Sequence, residues 1–584
     1  MHNSKKIWEG IKEIIHNRFN RDNSEIYLDE EGNIITNQKT VANRFNKFYT
    51  NVAKNLLAKL GKTPTKFQDY LKNPNEHSIF LNETNPDEIT DIVKKLDTTK
   101  AGDIYGTTPK LVKWAGSALS QNLSIIFNLA METGVFPQLL KNAKVIPVHK
   151  GDSKMITSNY RPISLLPIFG KMFEKIIYIR VMSFVEKYNI IYEKQYGFQP
   201  GKATEHAVID IQDNVLDSLE KKENPCCVFL DFAKAFDTVN HDILLAKLHH
   251  YGIRGSAHNL IKSYLTDREQ CVQLNDALSD MDTISHGVPQ GSILGPLFFL
   301  LYINDIAQSS DILTFYLFAD DTAIFYSHKN ISTLEEVLNR ELVHVSNWLI
   351  ANKLSLNIKK SNALLFRTKN QAKSAKINLV LDGIAIEETE SAKYLGVILD
   401  HKFTYENHIK QVKSKLIKGN AILAKVRHFI PPETLRNTYF AYIQPHLDYG
   451  LILWGYAAKS HLADIVRQQK KAIRIINFKH KYHESAPLFK ESKILPLDKN
   501  LQLNSSKIIW KSANSVLPTS VASIFQQREE SDSFYVPFRR IDVTQNCITY
   551  RGVQNYNKLP SEIKSCKTLD TFKDKYKEHL LEQL

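Results

Sequence analysis

Leu313-Thr-Phe-Tyr-Leu-Phe-Ala-Asp-Asp-Thr-Ala-Ile-Phe-Tyr326 carries two apolar runs, Leu313–Phe318 and Thr322–Tyr326, on either side of Asp320-Asp321. Two such runs around a short polar break read as a β-hairpin with two carboxylates at its tip. Upstream, Cys227–Asp231 is an unbroken apolar run that closes on an acid, the pattern of a buried strand. Clustered carboxylates repel one another unless cations are bound, and hard oxygen ligands select Mg²⁺ over zinc. Two divalent ions shared by Asp231, Asp320 and Asp321 would suit in-line phosphoryl transfer to a 3′-hydroxyl. The acids alone fit a metal-dependent hydrolase as well, so the surrounding residues decide.

The chain has 584 residues, 43% hydrophobic and 24% charged, which predicts several subdomains around ordinary cores. A net charge of +14 persists against 62 acidic residues, which points to a polyanionic partner. The five cysteines, Cys226, Cys227, Cys271, Cys547 and Cys566, have neither knuckle nor framework spacing, so no disulfide scaffold or zinc site is expected. The first thirty residues lack the apolar core of a signal peptide, and no apolar run reaches bilayer length. These features predict a soluble, intracellular protein with no membrane partner.

Apolar spacing at Ile11, Ile14 and Ile15, and at Phe45, Phe48, Tyr49 and Val52, predicts a helical lead-in over residues 1–100. Ser117–Leu140 reads as a helix ending near Gly134, and Ala143–Val148 as a strand. His241–Tyr251 and Leu334–Asn347 read as helices, Ile377–Asp400 as short strands, and the stretch from Tyr405 to about residue 500 as mostly helical and basic.

Longer motifs surround the acids. Phe318-Ala-Asp-Asp321 resembles the active-site hairpin of reverse transcriptases from non-LTR retrotransposons, the jockey-like elements in particular, and Leu230-Asp-Phe-Ala-Lys-Ala-Phe-Asp237 resembles their first metal-binding strand. The most specific likeness is Gly287-Val-Pro-Gln-Gly-Ser-Ile-Leu-Gly-Pro-Leu-Phe-Phe299, similar to the loop and helix beneath the incoming nucleotide. Asn159-Tyr-Arg-Pro-Ile-Ser-Leu-Leu-Pro167 resembles the fingers motif. Gln195-Tyr-Gly-Phe-Gln-Pro-Gly-Lys-Ala-Thr204 resembles the template-contact segment, departing from it at Gln199, commonly arginine, and at Ala203, commonly serine. Leu354-Ser-Leu-Asn-Ile-Lys-Lys-Ser361, Tyr394-Leu-Gly396, Tyr449-Gly450 with Trp454, and Tyr550-Arg-Gly552 with Leu559-Pro560 extend the likeness toward the C-terminus.

The resemblance implies an α+β right-hand polymerase with fingers, a palm made of an antiparallel sheet backed by helices, and a helical thumb. It divides the chain into a helical N-terminal extension (1–100), corresponding to an endonuclease–polymerase linker; fingers and palm (101–400); thumb (401–500); and a C-terminal region without an assigned role (501–584). Asp231, Asp320 and Asp321 would bind two Mg²⁺ ions, with Mn²⁺ as a substitute. Lys360 would protonate pyrophosphate. Lys150, Arg161, Phe232, Phe236, Gln290 and Gly291 would form the nucleotide site, with Phe236 as the ring that rejects a ribose 2′-hydroxyl. Gly197, Phe198, Tyr394, Leu395 and Gly396 would meet template and primer. The implied partners are an RNA template, a DNA primer and deoxynucleoside triphosphates, with action in the nucleus. Members of the group usually carry an endonuclease ahead of the polymerase, and this sequence is expected to lack one. Met1–Trp8 resembles the linker that follows it.

Overall fold

The computed structural model describes residues 8, 10, 11, 25–368, 376–529 and 531–584. At its centre lies the strand Asn224–Leu230, paired antiparallel with Asp321–His328 on one side and Asn362–Leu365 on the other. Thr314–Phe318 completes the hairpin and forms one edge. Ile384–Glu388 and then Leu379–Leu381 extend the opposite side to give six strands.

One pair departs from the expected antiparallel sheet: Asn362–Leu365 runs parallel to Ile384–Glu388, with Asn362 opposite Glu387. The connection explains it. After Leu365 the chain reverses to lay down Leu379–Leu381 as the outer strand. It reverses again through Asp382-Gly383, both at positive φ, so Ile384–Glu388 returns in the original direction.

The unbroken apolar run at Cys226–Leu230 follows from burial on both faces. Cys227 and Phe229 pack with Ala207, Ile211 and Val215 of the helix Thr204–Glu220. Cys226, Val228 and Leu230 point the other way, into a core with Phe298 of the helix Leu294–Ile303 and with Leu338, Leu342 and Trp348 of the helix Ile331–Ala351. The alternation of a strand thus divides one run between two cores.

A second sheet holds Tyr160–Leu165, Ala143–His149, Arg268–Leu274 and Ala277–Leu278 in that order, with Asp282–Ile284 also on Arg268–Leu274. The helix Gln38–Leu57 lies across it. Asn37 caps that helix by accepting from the Thr40 amide at 3.0 Å, and Val41, Phe45 and Tyr49 meet Val145, Tyr160 and Val272. The lead-in is therefore not purely helical: it also holds the hairpin Leu28–Glu30 with Asn33–Ile35, turned by Glu31 and Gly32 at positive φ. Ile14 and Ile15 lie outside the described residues.

Beyond Asp400 come the helices Glu406–Val426, Pro432–Tyr442, Lys459–Ile476 and Leu497–Ala513. The final helix, Leu569–Glu582, stacks Phe572 on Trp510 with ring centroids 5.7 Å apart. Residues 539–544 reach back to the Thr204–Glu220 helix, where Arg539 pairs with Asp213 and Asp217, and the Ile541 amide donates to Glu220. Among the described residues, no helix is long and apolar enough to cross a membrane.

Candidate active site

The three acids meet at the end of the central strands. Thr322 pairs with Leu230, so the same register sets Asp321 beside Asp231. Asp320 follows Ala319, whose φ of +56° makes the hairpin turn. That turn is held from outside the sheet: the Gln195 side-chain carbonyl accepts from the amides of Ala319 (3.1 Å) and Gly197 (2.9 Å). Gly197 lies so close that a Cβ there would sit 2.5 Å from the Ala319 nitrogen. Only glycine fits that approach.

Asp231 is fixed by the segment Leu354–Ser361. Its amide donates to the Ser361 hydroxyl (3.2 Å), its carbonyl accepts from the Asn357 amide (2.7 Å), and Phe232 bridges to Leu356. Phe232 is buried in the core beneath, so its side chain supports the site from below. Lys360 is exposed at the end of the short turn Ile358–Lys360 in the same segment.

Partial desolvation pushes Asp321 up to about 6, and the charges of Asp320 and Asp231 add to the effect. Asp320 is also raised, chiefly by burial and then by Asp231, while Arg161 opposes the rise. The three carboxylates thus repel one another across the strand ends, and a bound cation would relieve that repulsion. Among the described residues, no three His, Cys, Asp or Glu side chains are drawn close enough together to hold a metal ion. As they stand, the acids converge in electrostatic reach without closing into a ligand cage.

Arg161, whose charge reaches Asp320, also belongs to a cationic cluster with Lys150 and Lys234 around Asp237. Lys150 is pulled down to about 8 by partial desolvation, then by Lys234 and Arg161, with Asp237 opposing. Arg161 and Lys150 come from the hairpin of the second sheet, where Arg161 pairs with Val148. Lys234 stands in the left-handed region at φ +54°. Gln290 donates to Asp237 at 2.7 Å, so its amide is engaged within the protein rather than directed outward. Gly291 (φ +118°) backs onto Ser164, whose carbonyl oxygen would lie 2.7 Å from an added Cβ. Phe236 stacks on Phe299 at 4.5 Å and meets Phe198 edge-on at 6.2 Å, bringing the two expected site aromatics together. Phe198 is half exposed and at φ +51°.

Tyr394, Leu395 and Gly396 form the turn between the strands Ser391–Tyr394 and Val397–Asp400. Tyr394 is buried against Phe229. The Tyr449 hydroxyl donates to the Leu395 carbonyl at 2.5 Å, and its ring packs on Gly396, tying the turn to the helices that follow. Gln199 turns inward and donates to the Gln195 carbonyl at 2.5 Å, closing its loop on itself.

Four contributors escaped the sequence reading. Gln195, Lys234 and Asp237 lie inside quoted motifs, and their motif positions were the available signal. Glu174 had none: it is a buried acid that accepts from the Ile293 amide (2.6 Å) and the Tyr264 hydroxyl (2.9 Å), anchoring the start of the helix Leu294–Ile303. Burial raises its carboxyl above the usual range.

Residues 148–399 match the family described as reverse transcriptase (RNA-dependent DNA polymerase). The RNA-directed DNA polymerase from mobile element jockey of Drosophila melanogaster is 29% identical over 472 residues, 78% of this chain and 50% of that protein. The jockey protein of Drosophila funebris is 28% identical over 419 residues, covering 70% and 45%. A protein of Drosophila melanogaster named "Probable RNA-directed DNA polymerase from transposon X-element" is 27% identical over 448 residues, covering 75% and 49%. The chain spans about half the length of these relatives. Residues 148–399 thus match the reverse transcriptase family, and over most of its length the chain is similar to the RNA-directed DNA polymerases of jockey-like mobile elements.

Proposed function

We propose that this chain is an RNA-directed DNA polymerase that extends a DNA 3′-hydroxyl on an RNA template. The carrying observation is the crowding of mutually repelling Asp231, Asp320 and Asp321 at the strand ends within reach of the Arg161 charge, which itself clusters with Lys150 and Lys234. A triphosphate bridged by cations satisfies both sets of charges. In this reading the six-stranded sheet is the palm, the sheet carrying Arg161 belongs to the fingers, and the helices from Glu406 form the thumb.

Asp231, Asp320 and Asp321 would hold Mg²⁺, with Mn²⁺ able to substitute. Bound there, two such ions supply activation of the 3′-hydroxyl and stabilisation of the departing pyrophosphate. The side chains do the rest. Arg161 grips phosphate bidentately, and Lys150 and Lys234 add point charges. Phe236, braced by Phe299, blocks a 2′-hydroxyl and so favours deoxynucleotides. Gln290 acts by holding Asp237 and the loop beneath the nucleotide, rather than by reading the base alone. Exposed Lys360 protonates the leaving pyrophosphate. The Tyr394–Gly396 turn and Phe198 guide primer and template, and action on chromosomal DNA would be nuclear.

The test is extension of a DNA primer on an RNA template with Mg²⁺ and deoxynucleotides, run beside Asp320→Asn and beside ribonucleotides. The reading expects extension by the wild-type chain only, and little use of ribonucleotides. A wild-type chain that binds the hybrid and never extends it would overturn the reading.

A further inference from the structure

The helix Glu406–Val426 begins beside the Tyr394–Gly396 turn, where His408 accepts from the Ile398 amide at 3.3 Å. Its 21 residues carry the chain about 30 Å away. At that far end, residues 425–429 meet residues 474–484. The Arg427 guanidinium lies over the Phe478 ring at 5.2 Å, and the His428 ring meets Phe478 edge-on at 6.3 Å. Phe478, at φ +55°, ends the helix Lys459–Ile476 and turns the chain outward.

The tip exposes large rings among cations. Tyr482 is 80% exposed and Phe429 is 69% exposed. Tyr482 is flanked by the Lys481 ammonium at 4.7 Å and the His480 ring at 5.3 Å. Within the two segments, Lys425, Arg427, Arg474, Lys479 and Lys481 stand against a single carboxylate, Glu484. The Arg427 Nε is buried without a hydrogen-bond partner.

Exposed rings interleaved with Lys and Arg suit unpaired bases, because each base offers a face for stacking while its phosphate meets a cation. A duplex offers such faces only at its ends. We propose that this tip binds single-stranded nucleic acid, stacking bases on Tyr482 and Phe429 and meeting phosphates with Lys479, Lys481 and Arg427. The choice of ligand rests on the polymerase reading above. The surface itself is separate from the carboxylates, at the opposite end of a long helix.

The experiment uses the full chain carrying Asp320→Asn, with its cleft saturated by an unlabelled blunt RNA–DNA hybrid. Binding of short fluorescent single strands, RNA in one arm and DNA in the other, is read by anisotropy. Tyr482→Ala should weaken binding about tenfold, and Tyr482→Trp should retain it. Lys479→Ala with Lys481→Ala should flatten the slope of log affinity against log salt by about 1.4. Loss in either arm supports the proposal, and the arm with the larger loss names the strand. Tyr482→Ala binding like its parent, or losing blunt duplex equally, overturns it. Extension of a short primed template by Tyr482→Ala in an otherwise wild-type chain reports separately on the polymerase reading.

Discussion

Two groups of carboxylates sit around the same sheet and are treated in opposite ways. Asp231, Asp320 and Asp321 crowd the strand ends with no ion pair among the described residues, and burial, with the Asp231 charge adding to it, raises Asp320 and Asp321 above the usual carboxylate range. Asp305, behind the sheet, is 4% exposed and fully engaged: it pairs with Lys247 and accepts from the Trp348 indole at 3.0 Å, while Lys247 also donates to the Tyr302 carbonyl at 2.6 Å. Both are partly or wholly desolvated. The difference separates structure from function: a buried acid that stabilises the fold is neutralised by its neighbours, whereas acids left to repel one another await something from outside.

The comparison predicts opposite outcomes for the same chemical change. Asp320→Asn should abolish primer extension, a loss on the order of ten-thousand-fold, while leaving the melting temperature unchanged or slightly raised, because one of three like charges is gone. Asp305→Asn should instead destabilise the fold by about 3–5 kcal/mol, since it strands Lys247 in the core. Chemical denaturation measures the second effect. Adding Lys247→Met should recover most of the loss. If Asp320→Asn melts early and Asp305→Asn does not, the division between the two groups is wrong.

The same contrast can be probed without touching a charge. Gly197→Ala would drive a Cβ into the backbone of Phe318 and Ala319, moving Asp320. A displacement approaching 1 Å should lower extension roughly a hundredfold. Gly201, four residues on, also has positive φ (+74°), but open space surrounds it. Gly201→Ala should cost only about 1 kcal/mol of backbone strain and leave extension near wild type. Equal losses in the two variants would mean that loop flexibility, not the close approach at Gly197, matters.

The hairpin was legible because its apolar runs and the acid-closed run at Leu230-Asp231 are local patterns. So were the helix ending at Gly134, which has φ +70°, and the string from Gly287 to Phe299. What pairs with what was not local. The parallel strand pair depends on two chain reversals after Leu365, and Lys247 and Asp305 are 58 positions apart. Glu174 reaches Ile293 across 119 positions. Glu31-Gly32 was a readable turn signal, outweighed by the helical spacing around it. The electrostatic convergence of the acids was foreseen.

Asp213 falls between the two extremes, paired with a cation yet crowded by a like charge. It faces Arg539 at 3.3 Å, with Asp217, Asp210 and Thr549 nearby. Burial, then Asp217, pushes it from the ordinary 3.8 up to about 7, and Arg539 pulls the other way. An acid whose folded pKa is raised binds more protons in the native state across that window. Stability contributed by the protonated form is therefore present at the acidic end and is lost as pH rises from about 4 to about 7. Asp213→Asn keeps a polar partner for Arg539 and removes the titration, so wild type should lose stability relative to the variant between about pH 4 and about pH 7. Paired urea melts across that range read the difference. A gap that does not change with pH would mean that Asp213 is ionised throughout in the folded protein. The latch between the C-terminal region and the Thr204–Glu220 helix would then resemble the Lys247–Asp305 pair, and repulsion from Asp217 would not set its strength.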